Sequence, residues 1–364
     1  MDVDNKIYPS ENISMKEYTT MHVGGSARYF VEAKSIEDIL SALKFAKKND
    51  LKVLVLGGGS NTIFSDAGFC GLVIKISISG VEKVFEDESC VHYKVSAGES
   101  WDSFVRFLVE NHLYGLENLS HVPGLVGASV VQNIGCYGQE VSSCVVSVDV
   151  IDINTFDQIV FRNKDMNFGY RRSRLNRQDK GRFIVTEVTF ALRKQGQLVM
   201  KYKDIQDYFV GNPNIQPNLL TLRKAIISIR NRKFPFPDSP KNGSSGSFWN
   251  AESINEKKYE SITRILDEKG FHEKALEMRQ KKDVFRVSQG YKVPYGLFIE
   301  VLGLKGKVVG GAKILETHAG VINNFTGEAT ASDVYNLSKE VIETVYKEFG
   351  VKINVEPELI GKFE

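Results

Sequence analysis

Cysteine is scarce in this chain. The four present, Cys70, Cys90, Cys136 and Cys144, include no C-x-x-C pair, so neither a disulfide-stapled scaffold nor a thiolate zinc site is expected, and free thiols of a reducing cytoplasm are. The six histidines are dispersed and form no H-E-x-x-H pair, so no metal site is expected. Long apolar runs are missing as well: nowhere do about 20 apolar residues follow one another, so no membrane span is predicted. The first residues, MDVDNKIYPS, show no basic start followed by an apolar stretch, and no secretory signal is expected. An excess of one charge is also absent. Lys and Arg number 47 against 45 Asp and Glu, a net charge of +2, which argues against nucleic acid as a partner, because phosphate binding needs a concentrated basic face.

What is present is an ordinary globular composition, 42% hydrophobic and 25% charged, in 364 residues. That length exceeds what one core usually serves, so two or three domains are expected. SIEDILSALKFAKKND reads as a helix capped by Ser35 with Asp38 three residues on, its apolar face formed by Ile36, Ile39, Leu40 and Leu43. The strand LKVLVL follows and runs into GGGSN, and GLVIKI reads as a second strand. WDSFVRFLVENH is a further amphipathic helix, and VVSVDVIDI, QIVFRN and FIVTEVTFAL alternate as strands. The prolines at 213, 217, 235, 237 and 240 mark a change in composition, with a boundary near 215–225. Beyond it, Ser253 and Glu256 suggest a capping box, and a last helix is expected over about 332–349 with Gly350 as its stop. Helices and strands mix without a strict βαβ rhythm, which predicts an α+β fold.

VLVLGGGSNT has the strand and Gly57-x-Gly59 of a dinucleotide turn, but Thr62 stands where a third glycine belongs and no amphipathic helix follows. It reads either as an ordinary turn or as an anion nest of exposed N–H groups, with Ser60 and Asn61 adding donors. VPGLVGASVVQNIGCYG gathers Gly124, Gly127, Ala128, Ser129, Gly135 and Gly138. Small residues at that density suit either a close-packed crossing or the approach of backbone to a flat, pyrophosphate-bearing ligand.

TMHVGGSARYF, VLVLGGGSN, GLENLSHVPGLVGASVVQNIGCYG, FGYRRS, NGSSGSFW and EPELIG, in that order, resemble the UDP-N-acetylenolpyruvoylglucosamine reductase family. The resemblance spans about Thr20 to Gly361. It implies a two-subdomain FAD-binding fold of the vanillyl-alcohol/p-cresol oxidoreductase type plus a separate α+β substrate-binding domain. The parts expected are 1–75 with the tail 355–364 returning to the active site, 76–220, and 221–354. Non-covalent FAD is implied to lie against Gly57, Gly58, Gly59, Ser60 and Asn61 and against Pro123, Gly124, Gly127, Ala128, Ser129, Gln132, Asn133, Gly135 and Tyr137, with Val185 behind it. The implied reaction has two halves: NADPH gives hydride to the flavin and leaves, and UDP-N-acetylglucosamine enolpyruvate then takes hydride at its vinyl carbon. Charge building into the carboxylate calls for cationic stabilisation, and the α carbon calls for a proton donor. A cytoplasmic, monomeric enzyme with a small-molecule substrate is expected.

FGYRRSRLNRQDKGR holds the one basic cluster, which taken alone reads as a solvated loop. The resemblance selects Arg171, after Gly-Tyr, as the carboxylate-facing guanidinium. In VEPELIG, Pro357 favours an extended Glu356, so both glutamates are expected on one side of a strand, and the resemblance selects Glu358 as the one at the substrate carboxyl. In NGSSGSFWN, which by composition is a plausible linker, it selects Ser247 as proton donor, tuned by a neighbour such as Lys233. Lys233 and Tyr202 are implied near the nucleotide substrate. The segment SFWNAES is a residue shorter than the family's and lacks its proline, so the uridine-side contact falls on Asn250 or is absent. Likewise Val301 follows Glu300 where the family can carry glutamine. Cys136, where alanine is familiar, reads as a small filler. The rival readings are a flavin oxidase of the same cofactor fold with covalently held flavin, and a non-enzymatic nucleotide-sugar binder.

Overall fold

Ser35 caps the first helix, Ile36–Lys48, in the computed structural model, which describes residues 8–280, 285–287 and 290–364. The Ser35 hydroxyl accepts from the Asp38 N–H and the Asp38 carboxylate accepts from the Ser35 N–H, both at 3.1 Å, which satisfies donors that every helix start leaves exposed. The chain forms two units. The first comprises the described residues through Ile13, Ala27–Gly59 and Phe69–Phe236, and the second Ser14–Ser26, Ser60–Gly68 and Pro237–Glu364.

The first unit holds two large sheets and the two-stranded antiparallel hairpin Gly135–Cys136 with Gln139–Glu140. A four-stranded sheet runs in the order Ser10–Ser14, Ser26–Ala33, Phe69–Ile76, Val53–Leu56, and the last three pair in parallel. The strand Phe69–Ile76 has a near-continuous buried apolar run, as a parallel strand covered on both faces requires. The helix Ile36–Lys48 joins its core through Ile39, Ala42, Leu43 and Ala46. A five-stranded antiparallel sheet runs in the order Gln158–Arg162, Val145–Asp152, Phe183–Arg193, Cys90–Ser96, Val81–Glu86. The helix Trp101–Glu110 lies on it, with the Trp101 and Phe104 rings 6.2 and 5.2 Å from that of Phe190. Packed with this unit is the helix Leu219–Lys233, through Leu222, Ile226 and Ile229 against Ile205.

The second unit is built on a four-stranded sheet, Gly243–Ser247, Val321–Asn324, Ala312–Ile314, Val308–Val309. The helix Ala331–Phe349 buries Val334, Leu337, Val341, Val345 and Phe349 in its core and stops at Gly350, whose φ of 58° is left-handed. The helix expected from Ser253 is Glu256–Glu268. Its cap is Asn255, which accepts the Lys258 N–H at 2.9 Å, and not Ser253. No helix among the described residues is long and apolar enough to cross a membrane.

Candidate active site

In the first unit the glycine stretches meet at backbone contact. A β-carbon on Gly58 would lie 2.8 Å from the Gly124 α-carbon, one on Gly57 3.1 Å from the Ala128 β-carbon, and one on Gly127 2.6 Å from that of Ala97. Gly58 and Gly127 cannot carry side chains without a shift of backbone or of a fixed β-carbon, and at Gly57 Ala128 would have to give by a few tenths of an ångström. The strand Val53–Leu56 delivers Gly57–Gly59 to this crossing, and Gly59 has a φ of 62°. The N–H groups of Gly58 and Gly59 make no hydrogen bond among the described residues. A turn without side chains at Gly57–Gly59, whose N–H groups are not spent on other backbone, fits the pyrophosphate of a dinucleotide.

After the crossing, the short helix Val126–Val131 ends at Gln132, and Ser129 donates back to the Val126 carbonyl at 2.6 Å. Pro123 leads into it and is half-buried. Val185 is buried in the strand Phe183–Arg193, opposite Val150. The Asn133 side chain is spent on the protein: its Nδ2 donates to Glu140 and to the Gly169 carbonyl, both at 2.9 Å, and its Oδ1 accepts from Ser142 N–H at 3.1 Å. It thereby holds the turn that carries Arg171, where Gly169 and Arg172 exchange two backbone hydrogen bonds of 3.0 Å. Arg171 itself sits at a left-handed φ of 52°, a conformation that for arginine costs energy and persists only where neighbours fix it. Its Nη1 lies 3.5 Å from where a β-carbon on Gly135 would be, an ordinary contact distance that sets the guanidinium beside Gly135, whose own lack of a side chain answers to the Gln139 carbonyl at 2.9 Å and Glu140 Cγ at 3.0 Å. Burial pushes the Cys136 thiol up, while Arg230 and Arg171 both pull it down, so two guanidinium charges act at this hairpin.

Tyr137, at a φ of 46°, packs edge-on against Tyr202 with ring centres 5.7 Å apart. Burial pushes its hydroxyl up to about 12, against the pull of Arg230. Tyr202 stands at the N-terminus of the helix Lys203–Val210. On that helix Asp204 pairs with Lys233 at 2.5 Å, so Tyr202, Lys233, Tyr137 and Arg171 belong to one neighbourhood. Two residues that the sequence patterns do not single out join it. Arg230 donates to the His121 carbonyl at 3.0 Å and covers the Phe234 ring. Asn118, fully buried, donates to the carbonyls of Tyr137 and Val199 at 2.7 and 2.9 Å. Arg230 could have been found from its place one turn before Lys233 on the same helix; Asn118, in the three-residue 3-10 turn Glu117–Leu119, offers no such signal.

The helix Leu219–Lys233 is tied to the loop before Pro123. Asp102 takes two 2.7 Å bonds from Arg223 and a 2.5 Å bond from the His121 N–H, and His121 Nε2 meets Asn231 Oδ1 at 2.8 Å. Burial holds the His121 imidazole below its usual value.

In the second unit the three serines of NGSSGSF differ. Ser244 is buried and exchanges hydrogen bonds with Thr20. Ser245 is buried with its hydroxyl unpartnered, whereas Ser247 is exposed at the strand's end. Gly246 has a φ of 73°, and a β-carbon there would touch nothing; glycine is needed for the bend, not for space. Phe248, next to Ser247, accepts from the Glu356 N–H at 2.9 Å, and Glu358 N–H donates to the Asn61 carbonyl at 2.8 Å. Asn61 Nδ2 in turn reaches the Glu356 carbonyl at 3.4 Å. The unit therefore brings together Ser247, Asn61 and the two glutamates. The glutamates do not share a strand as expected: Ile353–Val355 pairs with Trp249–Ala251, and Glu358–Ile360 pairs with Thr62–Phe64. Pro357, with no N–H to give, separates the two ladders. Asn250 is half-buried opposite Asn354, and Val301 is buried in the helix Tyr295–Val301. Among the described residues no group of three or more His, Cys, Asp or Glu could hold a metal.

The sequence matches the FAD binding domain family over residues 27–155 and the C-terminal domain of UDP-N-acetylenolpyruvoylglucosamine reductase over 238–360. The reductase of that name from Flavobacterium johnsoniae is 37% identical over 351 residues, 96% of this chain and 98% of that protein. The one from Bdellovibrio bacteriovorus is 34% identical over 93% of this chain and 95% of its own length. The crystal structure of UDP-N-acetylenolpyruvylglucosamine reductase from Thermus caldophilus shares the fold, with a TM-score of 0.63 at 23% identity over 97% of this chain and 100% of that one. The chain thus belongs to the UDP-N-acetylenolpyruvoylglucosamine reductase family of FAD-dependent oxidoreductases.

Proposed function

We propose that Arg171, Ser247 and Glu358 carry, in this chain, the reduction of UDP-N-acetylglucosamine enolpyruvate to UDP-N-acetylmuramate with NADPH, a step of cytoplasmic peptidoglycan precursor synthesis that serves cell shape and division. Bound FAD supplies a hydride store between the two substrates. Arg171 binds the substrate carboxylate and offsets the negative charge that spreads into it. Glu358 hydrogen-bonds the same carboxyl region. Ser247 delivers the proton to the α carbon and is reprotonated through a water chain or Lys233. Tyr202, Lys233 and, on the uridine side, Asn250 hold the nucleotide. The glycine crossing, with Ser60, Asn61 and the stretch Pro123–Tyr137, holds the FAD.

The observation that carries this reading is the Arg171 turn. A strained arginine whose turn is tied down by Asn133 suits holding one guanidinium in place rather than solvating a loop. By function we assign 1–75 and 76–220 to the cofactor and 221–354 to the substrate, with the tail 355–364 returning to the active site; a monomer suffices. The test is anaerobic. NADPH should bleach the flavin absorbance, and UDP-N-acetylglucosamine enolpyruvate should restore it. Bleaching without recovery would reduce the protein to a general flavin reductase.

A further inference from the structure

We infer that Asn118 is a positioning residue that locks the loop bearing Tyr202 to the cofactor-side turn at Tyr137, and so sets affinity for the nucleotide end of the substrate. This rests on the reading of Tyr202 as a nucleotide-binding residue. Asn118 is completely buried, and every connection it makes serves one of the two segments or fixes Asn118 itself. Its Nδ2 spends both hydrogens, one on the Tyr137 carbonyl at 2.7 Å and one on the Val199 carbonyl at 2.9 Å, across 81 residues of sequence. Its N–H is accepted by Gln139 Oε1 at 2.8 Å, and its carbonyl accepts the Cys136 thiol at 3.0 Å. Gln139 is held in turn by Glu117 at 2.7 Å, and Glu117 by the Gly115 N–H at 2.7 Å.

The orientation of the amide follows from these partners. Turned over, it would set its oxygen against two carbonyl oxygens. In the orientation seen, both donors are used and Oδ1 is left buried without a partner. A buried acceptor left unpaired is unfavourable, so the site favours the two bridging donors over full satisfaction of the side chain. The consequence reaches the ring pair. Tyr137 holds a left-handed φ, and Gly138, where a β-carbon would lie 3.2 Å from Val199 and 3.5 Å from Tyr202, lets the two segments close on each other. Asn118 fixes the carbonyls on both sides of that contact.

The test uses Asn118→Asp, which keeps the shape but replaces the two donors with an oxygen, together with Asn118→Ser, Tyr202→Ala and the double variants. Loss of the bridge should raise KM for UDP-N-acetylglucosamine enolpyruvate about tenfold, with kcat changed little. Hydrogen exchange of the flavin-loaded protein without substrate should speed up over 197–203 and not in the helix Trp101–Glu110. Added to Tyr202→Ala, the Asn118 change should raise KM no further, because both act through one loop. An unchanged KM, unchanged protection at 197–203, or multiplicative effects in the double variant would each overturn the inference. If Tyr202→Ala leaves KM unaltered, the reading of Tyr202 fails, and an Asn118 effect that persists shows that its route does not run through that residue. Failure of both Asn118 variants to bind FAD would assign the residue to the fold instead.

Discussion

The α-carbon of Gly124 lies 2.8 Å from where a β-carbon on Gly58 would be. Gly58 is thus glycine because the backbone at Gly124 occupies its side-chain space, Gly124 has a φ of 125° that favours glycine, and the turn offers N–H groups rather than side chains to a ligand.

Gly58→Ala should therefore cost about 1–3 kcal/mol through a clash with backbone that cannot rotate away, and should weaken FAD retention by tenfold or more. Gly246→Ala meets no atom and pays only for its left-handed φ, about 1–2 kcal/mol, with FAD retention unchanged. Thermal melts and the flavin retained after ultrafiltration check both. Equal FAD loss in the two variants would refute the distinction.

Asn133→Ala removes the clamp on the Arg171 turn along with bonds to Glu140 and Ser142. Loosening the guanidinium should slow flavin reoxidation by the enolpyruvyl substrate roughly tenfold to a hundredfold, with a smaller effect on reduction by NADPH. Rapid-mixing absorbance of each half-reaction measures this.

The Asp102–Arg223 pair predicts a pH-dependent stability. Burial opposes ionisation of Asp102, but the Arg223 bonds and the His121 N–H outweigh it and hold the carboxyl below its ordinary range. Its contribution is complete above about pH 4, the unfolded carboxylate's value, and is lost as pH falls through the lower folded value. Asp102→Asn, which breaks a largely buried pair, should lower stability by about 2 kcal/mol near neutrality, and the Tm gap to the unaltered protein should close in acid. A gap independent of pH would contradict the assignment.

The sequence signals that held were local ones. Ser35 with Asp38, the face of Trp101–Glu110 and the stop at Gly350 depend on residues within a few positions, so periodicity and capping reveal them. Asn255 displaced Ser253 because both can cap, and only packing decides where the first turn begins. The spacing of Glu356 and Glu358 suggests one strand; Pro357 instead hands the chain from one ladder to another. The clamps at Asn118 and Asn133 were out of reach. A polar side chain in a turn or a three-residue 3-10 helix leaves no periodic trace, and their partners lie as far as 81 and 36 residues away.

Arg171→Lys keeps the charge but loses the planar fork, so it should bind the carboxylate less well and slow reoxidation by about 2–3 kcal/mol in barrier. Flavin reduction by NADPH should change far less, which single-turnover absorbance resolves.

The most direct test follows both half-reactions of Ser247→Ala anaerobically by flavin absorbance. If Ser247 is the proton donor, bleaching by NADPH proceeds at nearly the unaltered rate, while recovery on adding UDP-N-acetylglucosamine enolpyruvate slows at least a hundredfold. Recovery at the unaltered rate, or equal losses in both halves, would contradict the account.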